Sequence, residues 1–342
     1  MPTQSLEKVD SLITSPSSSR WAIALHGGAG CLPDNVTPER VLAYRQSLER
    51  ILRLAVDLLT GGGTALDVAE RTVMALEDDT LFNAGKGSVP NQLGYHQLDA
   101  SIMDGRQLAC GAVGAVSTLR NPIRAARLVM EQTRHILLVG KDADDFGRLH
   151  QLDQVSQDYY FDPVRWEQFE ASQQQLGYPV LKTPPYGMPE PAEQPIATGD
   201  TDISRGTVGC VVLDSSGNLA SATSTGGMSS KTCGRVGDTG IIGGGTYADN
   251  RGCAISCTGH GEQFMRHSIA FQVNWRVSRQ NESLQDVVVD CIDNVLQPGG
   301  GGIIAVDHRG NLSLEMNTKS MHRAWADSTG QRGVAVYRDE TR

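Results

Sequence analysis

Two strand-like runs, residues 98–103 and 110–116, stand on either side of Asp104-Gly105, a dipeptide that tolerates the positive φ angles of a tight hairpin turn. Antiparallel pairing follows, so the strands and helices of this chain interleave without strict alternation. The same signal recurs where residues 207–213 and 219–223 flank Asp214-Ser215-Ser216-Gly217-Asn218, and where 303–306 and 312–315 flank His308-Arg309-Gly310-Asn311. Helical spacing runs from Pro38 to Leu59 and is stopped by Gly61-Gly62-Gly63, with Thr64 as N-cap of a second helix over 65–76. Further helices are expected at Asn121-Pro122, 142–149, 262–273 and 283–296, a buried strand at 136–139, and glycine-broken strands within 241–255. Residues 21–25 read as a buried strand that stops at His26-Gly27-Gly28-Ala29-Gly30.

Between about residues 151 and 204 the periodicity dissolves, Gln is frequent and Pro recurs. So long a stretch is expected to be a flexible linker, a lid or a disordered insert. Residues 1–20 are polar and Ser-rich and are expected to form a disordered arm. Glycine is 38 of 342 residues, above the usual ~7% yet far from low-complexity composition, which makes the rest a loop-rich globular protein. The balance of 30 Lys+Arg against 39 Asp+Glu, net −9, includes no basic run, so nucleic acid and anionic membranes are not expected partners. No stretch approaches the ~18 apolar residues that span a bilayer, and no signal peptide is visible. Seven scattered Cys, at 31, 110, 210, 233, 253, 257 and 291, suit reduced thiols in a cytoplasmic protein better than a disulfide framework.

The glycine loop after the first strand lacks the spacing of a phosphate cradle, so His26 reads as a hydrogen-bonded structural residue. Cys253 and Cys257 project to one face of a strand with no fourth metal ligand nearby, and Cys210 lies in an apolar strand without an adjacent His. The dense region is 206–266, where Thr hydroxyls stand beside Gly, and Arg235 and Asp238 are three apart in a Gly-flanked loop. A Thr hydroxyl is a weak nucleophile and no local Ser/His/Asp arrangement supplies its base. If the chain were cut before Thr207, the released α-amine, with an unperturbed pKa of ~7.7–8.0, would be that base. Gly206 leaves the Thr207 hydroxyl unobstructed for attack on its own upstream carbonyl. Taken alone, Thr207 also reads as an ordinary strand residue, and Arg235 with Asp238 as a surface ion pair.

From Trp21 to Tyr337 the chain resembles the isoaspartyl peptidase/L-asparaginase family, the plant-type asparaginases among N-terminal-nucleophile hydrolases. The likeness is carried by Leu25-His26-Gly27-Gly28-Ala29-Gly30, by Phe82-Asn83-Ala84-Gly85-Lys86-Gly87, by residues 98–105 and by the whole 206–266 block. It implies an α+β fold, a four-layer αββα sandwich with two antiparallel-rich sheets between helical layers. It also implies a single hydrolase domain, 21–342, made as a precursor that cleaves itself between Gly206 and Thr207 into fragments 21–206 and 207–342. The expected assembly is a dimer of such two-fragment units, a heterotetramer. Thr207 matches the nucleophile and Thr225 the second threonine that hydrogen-bonds it. Asn83 matches an asparagine placed near the nucleophile. Arg235 would bind the substrate α-carboxylate, Asp238 its α-ammonium, and Thr258 and Gly259 the oxyanion. The implied substrates are β-aspartyl dipeptides and, less efficiently, L-asparagine. No cofactor is implied for catalysis, but a structural sodium ion is, wrapped by the backbone of Leu76, Glu77, Asp79, Phe82, Ala84 and Lys86. The competing readings are a glycosylasparaginase-like amidase and an uncleaved, catalytically silent binding protein of the same fold.

Overall fold

A computed structural model of the chain describes residues 20–30, 32, 36–187 and 206–340. In chain order the strands are β1 (Ala22–Gly30), β2 (Leu98–Asp104), β3 (Ala109–Val116), β4 (Leu137–Val139), β5 (Val208–Leu213), β6 (Leu219–Thr225), β7 (Thr246–Ala248), β8 (Cys253–Gly259), β9 (Gly301–Asp307), β10 (Leu312–Met316), β11 (Ser320–Asp327) and β12 (Arg332–Tyr337). The helices are α1 (Pro38–Thr60), α2 (Ala65–Glu77), α3 (Pro122–Gln132), α4 (Gly140–Leu149), α5 (Pro163–Leu176), α6 (Gly261–His267), α7 (Ile269–Gln280) and α8 (Leu284–Asp290). The strands form an eight-stranded sheet, β12-β11-β1-β5-β6-β2-β3-β4, and a four-stranded sheet, β10-β9-β8-β7. Among the described strands only β3 and β4 pair in parallel, so the class is α+β and the three hairpins read from turn residues are present.

Period-two alternation distributes the side chains. In β5, Val208, Cys210 and Val212 face the core shared with α1, α2 and α3, whereas Val211 and Leu213 face the core between the sheets. In β8, Cys253, Ile255 and Cys257 pack against α7 and α8, while Ala254 faces the other sheet. The paired cysteines of β8 are thus core thiols, and Cys210 belongs to the helix-facing core. Each such fully buried aliphatic side chain contributes roughly 1.5–3 kcal/mol. Thr37 and Thr64 cap α1 and α2 by accepting from Arg40 N and Asp67 N.

Five expectations need correction. β1 does not stop before the glycines but runs through them to Gly30, with a bulge between His26 and Ala29. The strand at 137–139 is an exposed sheet edge, not a buried one. The helix expected over 262–273 is two helices, parted by Ser268 at φ +48°; Gly243 O and Gly244 O accept from Phe271 N and Ala270 N, satisfying first-turn donors of α7 from outside. The helix over 283–296 ends as a π turn, Cys291–Val295. Finally, residues 151–187 are structured. A 3₁₀ turn, Gln157–Tyr160, leads to α5, which is capped by Asp162 and closed by Gly177 at φ +72°. The rest of the expected linker, 188–204, and residues 1–19 of the expected arm lie outside the described residues.

Candidate active site

The alternation that sends Val208 and Cys210 toward the helices sends Thr207 toward the other sheet, at the head of β5. Thr207 is 5% exposed. Thr207 Oγ1 donates to Thr225 Oγ1 at 3.3 Å. Thr225, at the end of β6, donates to the carbonyl oxygen of Gly206 at 2.8 Å, and Gly227 N donates to the Thr225 hydroxyl at 2.9 Å. Asn83 is also buried: its Nδ2 donates to Gly206 O at 3.0 Å and to Gly227 O at 2.7 Å. Its Oδ1 accepts from Val89 N at 2.9 Å. The Gly206 carbonyl therefore holds two donors, with the Thr207 hydroxyl bonded to one of them.

The bulged end of β1 crosses this corner. Gly28 has φ +112°, and a Cβ there would lie 3.0 Å from Gly206 Cα. The next residue reaches the second sheet, where Ala29 N donates to Thr258 Oγ1 at 3.0 Å. Thr258 is fully buried at the end of β8, and its hydroxyl proton is left over to donate. Gly259 follows at φ +141°, where a Cβ would sit 2.2 Å from Gly300 O, so only glycine fits.

Past this turn, Arg235 and Asp238 converge on Gly261: a Cβ there would meet Asp238 Oδ1 at 2.6 Å and Arg235 Nη2 at 2.9 Å. Asp238 is 3% exposed, and its Oδ2 has no hydrogen-bond partner among the described residues. Burial pushes its carboxyl up to about 7, against the opposing pull of Arg235. Arg235 is not paired with Asp238. Its Nε and Nη2 grip Glu262 Oε1 and Oε2, each at 3.0 Å, which leaves the Nη1/Nη2 edge for a second carboxylate.

Two residues at this site carried no role in the sequence reading. Glu262 orients the guanidinium, yet in sequence it is an acidic residue at a helix start, a place acids favour anyway. Lys231 is 4% exposed, and its ammonium donates to Gly226 O at 2.8 Å and to Gln97 O. Burial lowers its pKa to about 8. His26 is bonded on both ring nitrogens, to Thr207 O and Ser256 Oγ. Burial pushes Cys210 up to about 12, which makes it no nucleophile.

At the loop after α2, the carbonyls of Glu77, Thr80 and Phe82 crowd two glycines: a Cβ at Gly85 would lie 2.3 Å from Glu77 O, and one at Gly87 2.2 Å from Phe82 O. Backbone carbonyl oxygens are hard, neutral donors of the kind that hard cations take. Among the described residues no group of three or more His, Cys, Asp or Glu could hold a metal ion, and no helix is long and apolar enough to cross a membrane.

The chain matches the Asparaginase family over residues 19–336. It is 40% identical over 321 residues to the isoaspartyl peptidase of Escherichia coli strain K12, covering 93% of this chain and 96% of that one. To the isoaspartyl peptidase of Salmonella typhimurium it is 41% identical, covering 94% and 100%. To the isoaspartyl peptidase/L-asparaginase of Xenopus laevis it is 36% identical, covering 93% and 96%. The chain belongs to the isoaspartyl peptidase/L-asparaginase family.

Proposed function

We propose that this chain is a self-processing threonine hydrolase that cuts itself at Gly206-Thr207 and then hydrolyses β-aspartyl dipeptides and, less efficiently, L-asparagine. The observation that carries the reading is the Gly206 carbonyl, which takes hydrogen bonds from both Thr225 Oγ1 and Asn83 Nδ2 beside the Thr207 hydroxyl. In processing, Thr207 Oγ attacks the Gly206 carbonyl carbon. Its proton is relayed through the Thr225 hydroxyl to the developing oxyanion and moves on to the Thr207 nitrogen as the C–N bond breaks. Collapse breaks the peptide C–N bond and leaves a Gly206 ester on Thr207 with a free α-amine; water then hydrolyses the ester. The amine becomes the base that activates the same hydroxyl in turnover.

The aspartyl α-carboxylate docks on the Nη1/Nη2 edge of Arg235, the edge that Glu262 leaves open, and the α-ammonium on the unpartnered Oδ2 of Asp238. Thr207 attacks the side-chain carbonyl, the Thr258 hydroxyl and Gly259 N–H stabilise the oxyanion, the amine departs, and water releases aspartate. An ordinary α-peptide is refused because its α-carboxyl is already consumed in a bond.

The buried clusters on both outer faces and between the sheets support the αββα layering, within one hydrolase domain of fragments 21–206 and 207–342. Exposed Phe271 and Trp275 on α7, with Ile136, Leu137 and Val139 at the sheet edge, support assembly of two such units. The backbone around Leu76, Glu77, Asp79, Phe82, Ala84 and Lys86 would hold a structural sodium ion that keeps the Asn83 loop in shape and takes no part in the chemistry. The six described cysteines are free, which suits a cytoplasmic setting.

The test is the intact mass of the purified protein over time, with Thr207→Ala as control. Fragments ending at Gly206 and beginning at Thr207, together with turnover of a β-aspartyl dipeptide, support the reading. A Thr207→Ala protein that still matures and turns over overturns it.

A further inference from the structure

A continuous line of buried polar side chains crosses the space between the two sheets. In the eight-stranded sheet, His26, Gly209, Thr223 and Ser101 occupy one register row across β1, β5, β6 and β2. In the facing sheet, Ser256 and Thr246 are paired across β8 and β7. His26, Thr223, Ser101, Ser256 and Thr246 are all fully buried. Their hydrogen bonds alternate between the sheets: His26 Nε2 to Ser256 Oγ at 2.8 Å, Ser256 Oγ to Thr223 Oγ1 at 2.8 Å, Thr223 Oγ1 to Thr246 Oγ1 at 2.6 Å, and Thr246 Oγ1 to Ser101 Oγ at 2.8 Å. Each end is a backbone carbonyl: Thr207 O lies 2.8 Å from His26 Nδ1, and Thr239 O lies 2.5 Å from Ser101 Oγ. Gly209 makes the crossing sterically feasible, because a Cβ there would sit 2.0 Å from Ser256 Oγ.

Donor counting gives the row a direction. A carbonyl oxygen only accepts, so His26 Nδ1 carries a proton and donates to Thr207 O. Burial holds the imidazole neutral, with its pKa lowered to about 3, so Nε2 accepts from Ser256. Ser256, its proton spent, accepts from Thr223, and Thr223 accepts from Thr246. The row has six links and five protons. The imidazole nitrogen is the most basic acceptor, so it keeps its donor, and the missing proton falls at Ser101, which has one proton for two acceptors, Thr246 Oγ1 and Thr239 O. The protons of Thr246, Thr223, Ser256 and His26 then point toward Thr207, an arrangement in which each bond polarises the next.

We propose that this inter-sheet hydroxyl row is a positioning relay: Ser256, backed by Thr223, Thr246 and Ser101, fixes His26 as the donor that holds the backbone of Thr207 in line for catalysis. It rests on the reading of Thr207 as nucleophile. It adds residues that touch neither substrate nor the reacting atoms, and it ties Thr207 to the turn carrying Asp238, since Thr239 anchors the opposite end.

Three variants of the full chain test it. Ser256→Ala removes the donor to Nε2, Thr223→Val removes the next hydroxyl at nearly constant volume, and Thr223→Ser restores it. On a β-aspartyl dipeptide, kcat is expected to fall about tenfold in Ser256→Ala, the scale of one neutral hydrogen bond, and about twofold in Thr223→Val, where only cooperative polarisation is lost. KM stays constant, and Thr223→Ser recovers the wild-type value. A weaker donor to the Thr207 carbonyl leaves its α-amine more basic, so the acid limb of the kcat/KM profile moves to higher pH in Ser256→Ala.

Truncation at a buried site lowers stability on any reading, so the deciding measurements are that limb and the His26 Nδ1–H resonance in imidazole-labelled NMR. The resonance is expected to move upfield from wild type through Thr223→Val to Ser256→Ala. It can be read in uncleaved Thr207→Ala precursors, whether or not a variant matures. An unmoved resonance, or a kcat loss with an unmoved acid limb that Thr223→Ser does not recover, reduces the row to packing and overturns the proposal. A Thr207→Ala protein that turns over substrate overturns the functional reading instead, leaving the resonance order to be judged by itself.

Discussion

Replacing Asn83 separates the two duties of its side chain, because its atoms serve different groups. Nδ2 donates to the Gly206 carbonyl at 3.0 Å and to Gly227 O at 2.7 Å, while Oδ1 accepts from Val89 N at 2.9 Å. In Asn83→Ala the Gly206 oxygen keeps only the Thr225 hydroxyl. Loss of one oxyanion donor costs about 2.7–4 kcal/mol in a comparable transition state, so processing is expected to slow by roughly 10²–10³-fold. Gly227 O and Val89 N–H, both buried, lose their partner as well, which costs about 1–3 kcal/mol of stability. Asn83→Asp distinguishes the effects. It preserves shape and the bond from Val89 N, but turns a carboxylate oxygen toward two carbonyl oxygens, so cleavage is expected to stop near neutral pH and to recover partly in acid, where a protonated oxygen donates to one of them. The assay follows freshly purified precursor by intact mass, with thermal melting alongside. An Asn83→Ala protein that matures at the wild-type rate would refute the reasoning outright, as would equal rates for the Ala and Asp variants at every pH.

The substrate clamp and the buried acids give three more expectations. Burial pushes Asp238 up to about 7, and only its ionised form attracts an ammonium, so KM for a β-aspartyl dipeptide should fall as pH rises through about 7; Asp238→Asn should raise KM at least tenfold and abolish that dependence, as steady-state kinetics at several pH values would reveal. Glu262→Gln loosens the grip on Arg235 and is expected to raise KM several-fold with kcat within about twofold, the pattern of lost ground-state binding; an unchanged KM removes Glu262 from the site. Glu77 is buried, and desolvation raises its carboxyl from 4.5 to about 8. Because the folded pKa lies above the unfolded one, its contribution is fully present below about 4.5 and is lost as pH rises through about 8. Glu77→Gln keeps an acceptor for Ile123 N and the Ser224 hydroxyl and should flatten the decline in denaturation free energy across that window; identical slopes for both proteins contradict the assignment.

The hairpins, α1, α2 and the Thr64 cap were legible because turn residues and apolar spacing act locally. α5 was not, because it buries what the pattern counts as polar. Gln168, Ser172 and Gln173 are nearly inaccessible, with Gln173 bonded to Gln92 O and Leu181 N, and Arg165 reaches Leu81 O. A helix that buries amides through such bonds shows no apolar stripe, and it read as linker. The division of α6 from α7 was hidden for a similar reason: the carbonyls of Gly243 and Gly244 that satisfy the start of α7 lie some 25 residues upstream, and nothing within 262–273 signals the break. β11 and β12 went unread after the last hairpin; their pairing partners include β1, at the opposite end of the chain.

The candidate site depends on the same long-range pairing, yet much of it could be named beforehand. Thr207, Thr225 and Thr258 were singled out one by one from residue type and resemblance; what joins them is strand parity. Each sits an even number of residues from a neighbour in the inter-sheet core: Thr207 from Val211, Thr225 from Leu219 and Thr258 from Ala254. Once the sheets stack, all three must face the same space. Parity also accounts for His26, which read as a hydrogen-bonded structural residue of the glycine loop, and for Thr223, Ser256 and Thr246, because a lone hydroxyl in a strand carries no signal until its partner on another sheet is known. The Gly206 carbonyl has the same character. Its two donors come from residues 83 and 225, so the pull on the bond to be broken arises from closure of the fold, and a chain that has not yet paired β6 with both β2 and β5 lacks the geometry to cut itself. Processing is therefore expected to follow folding and never precede it: precursor refolded from denaturant should regain its secondary structure before any fragment beginning at Thr207 is detected, and fragments released from unfolded chain would contradict this account.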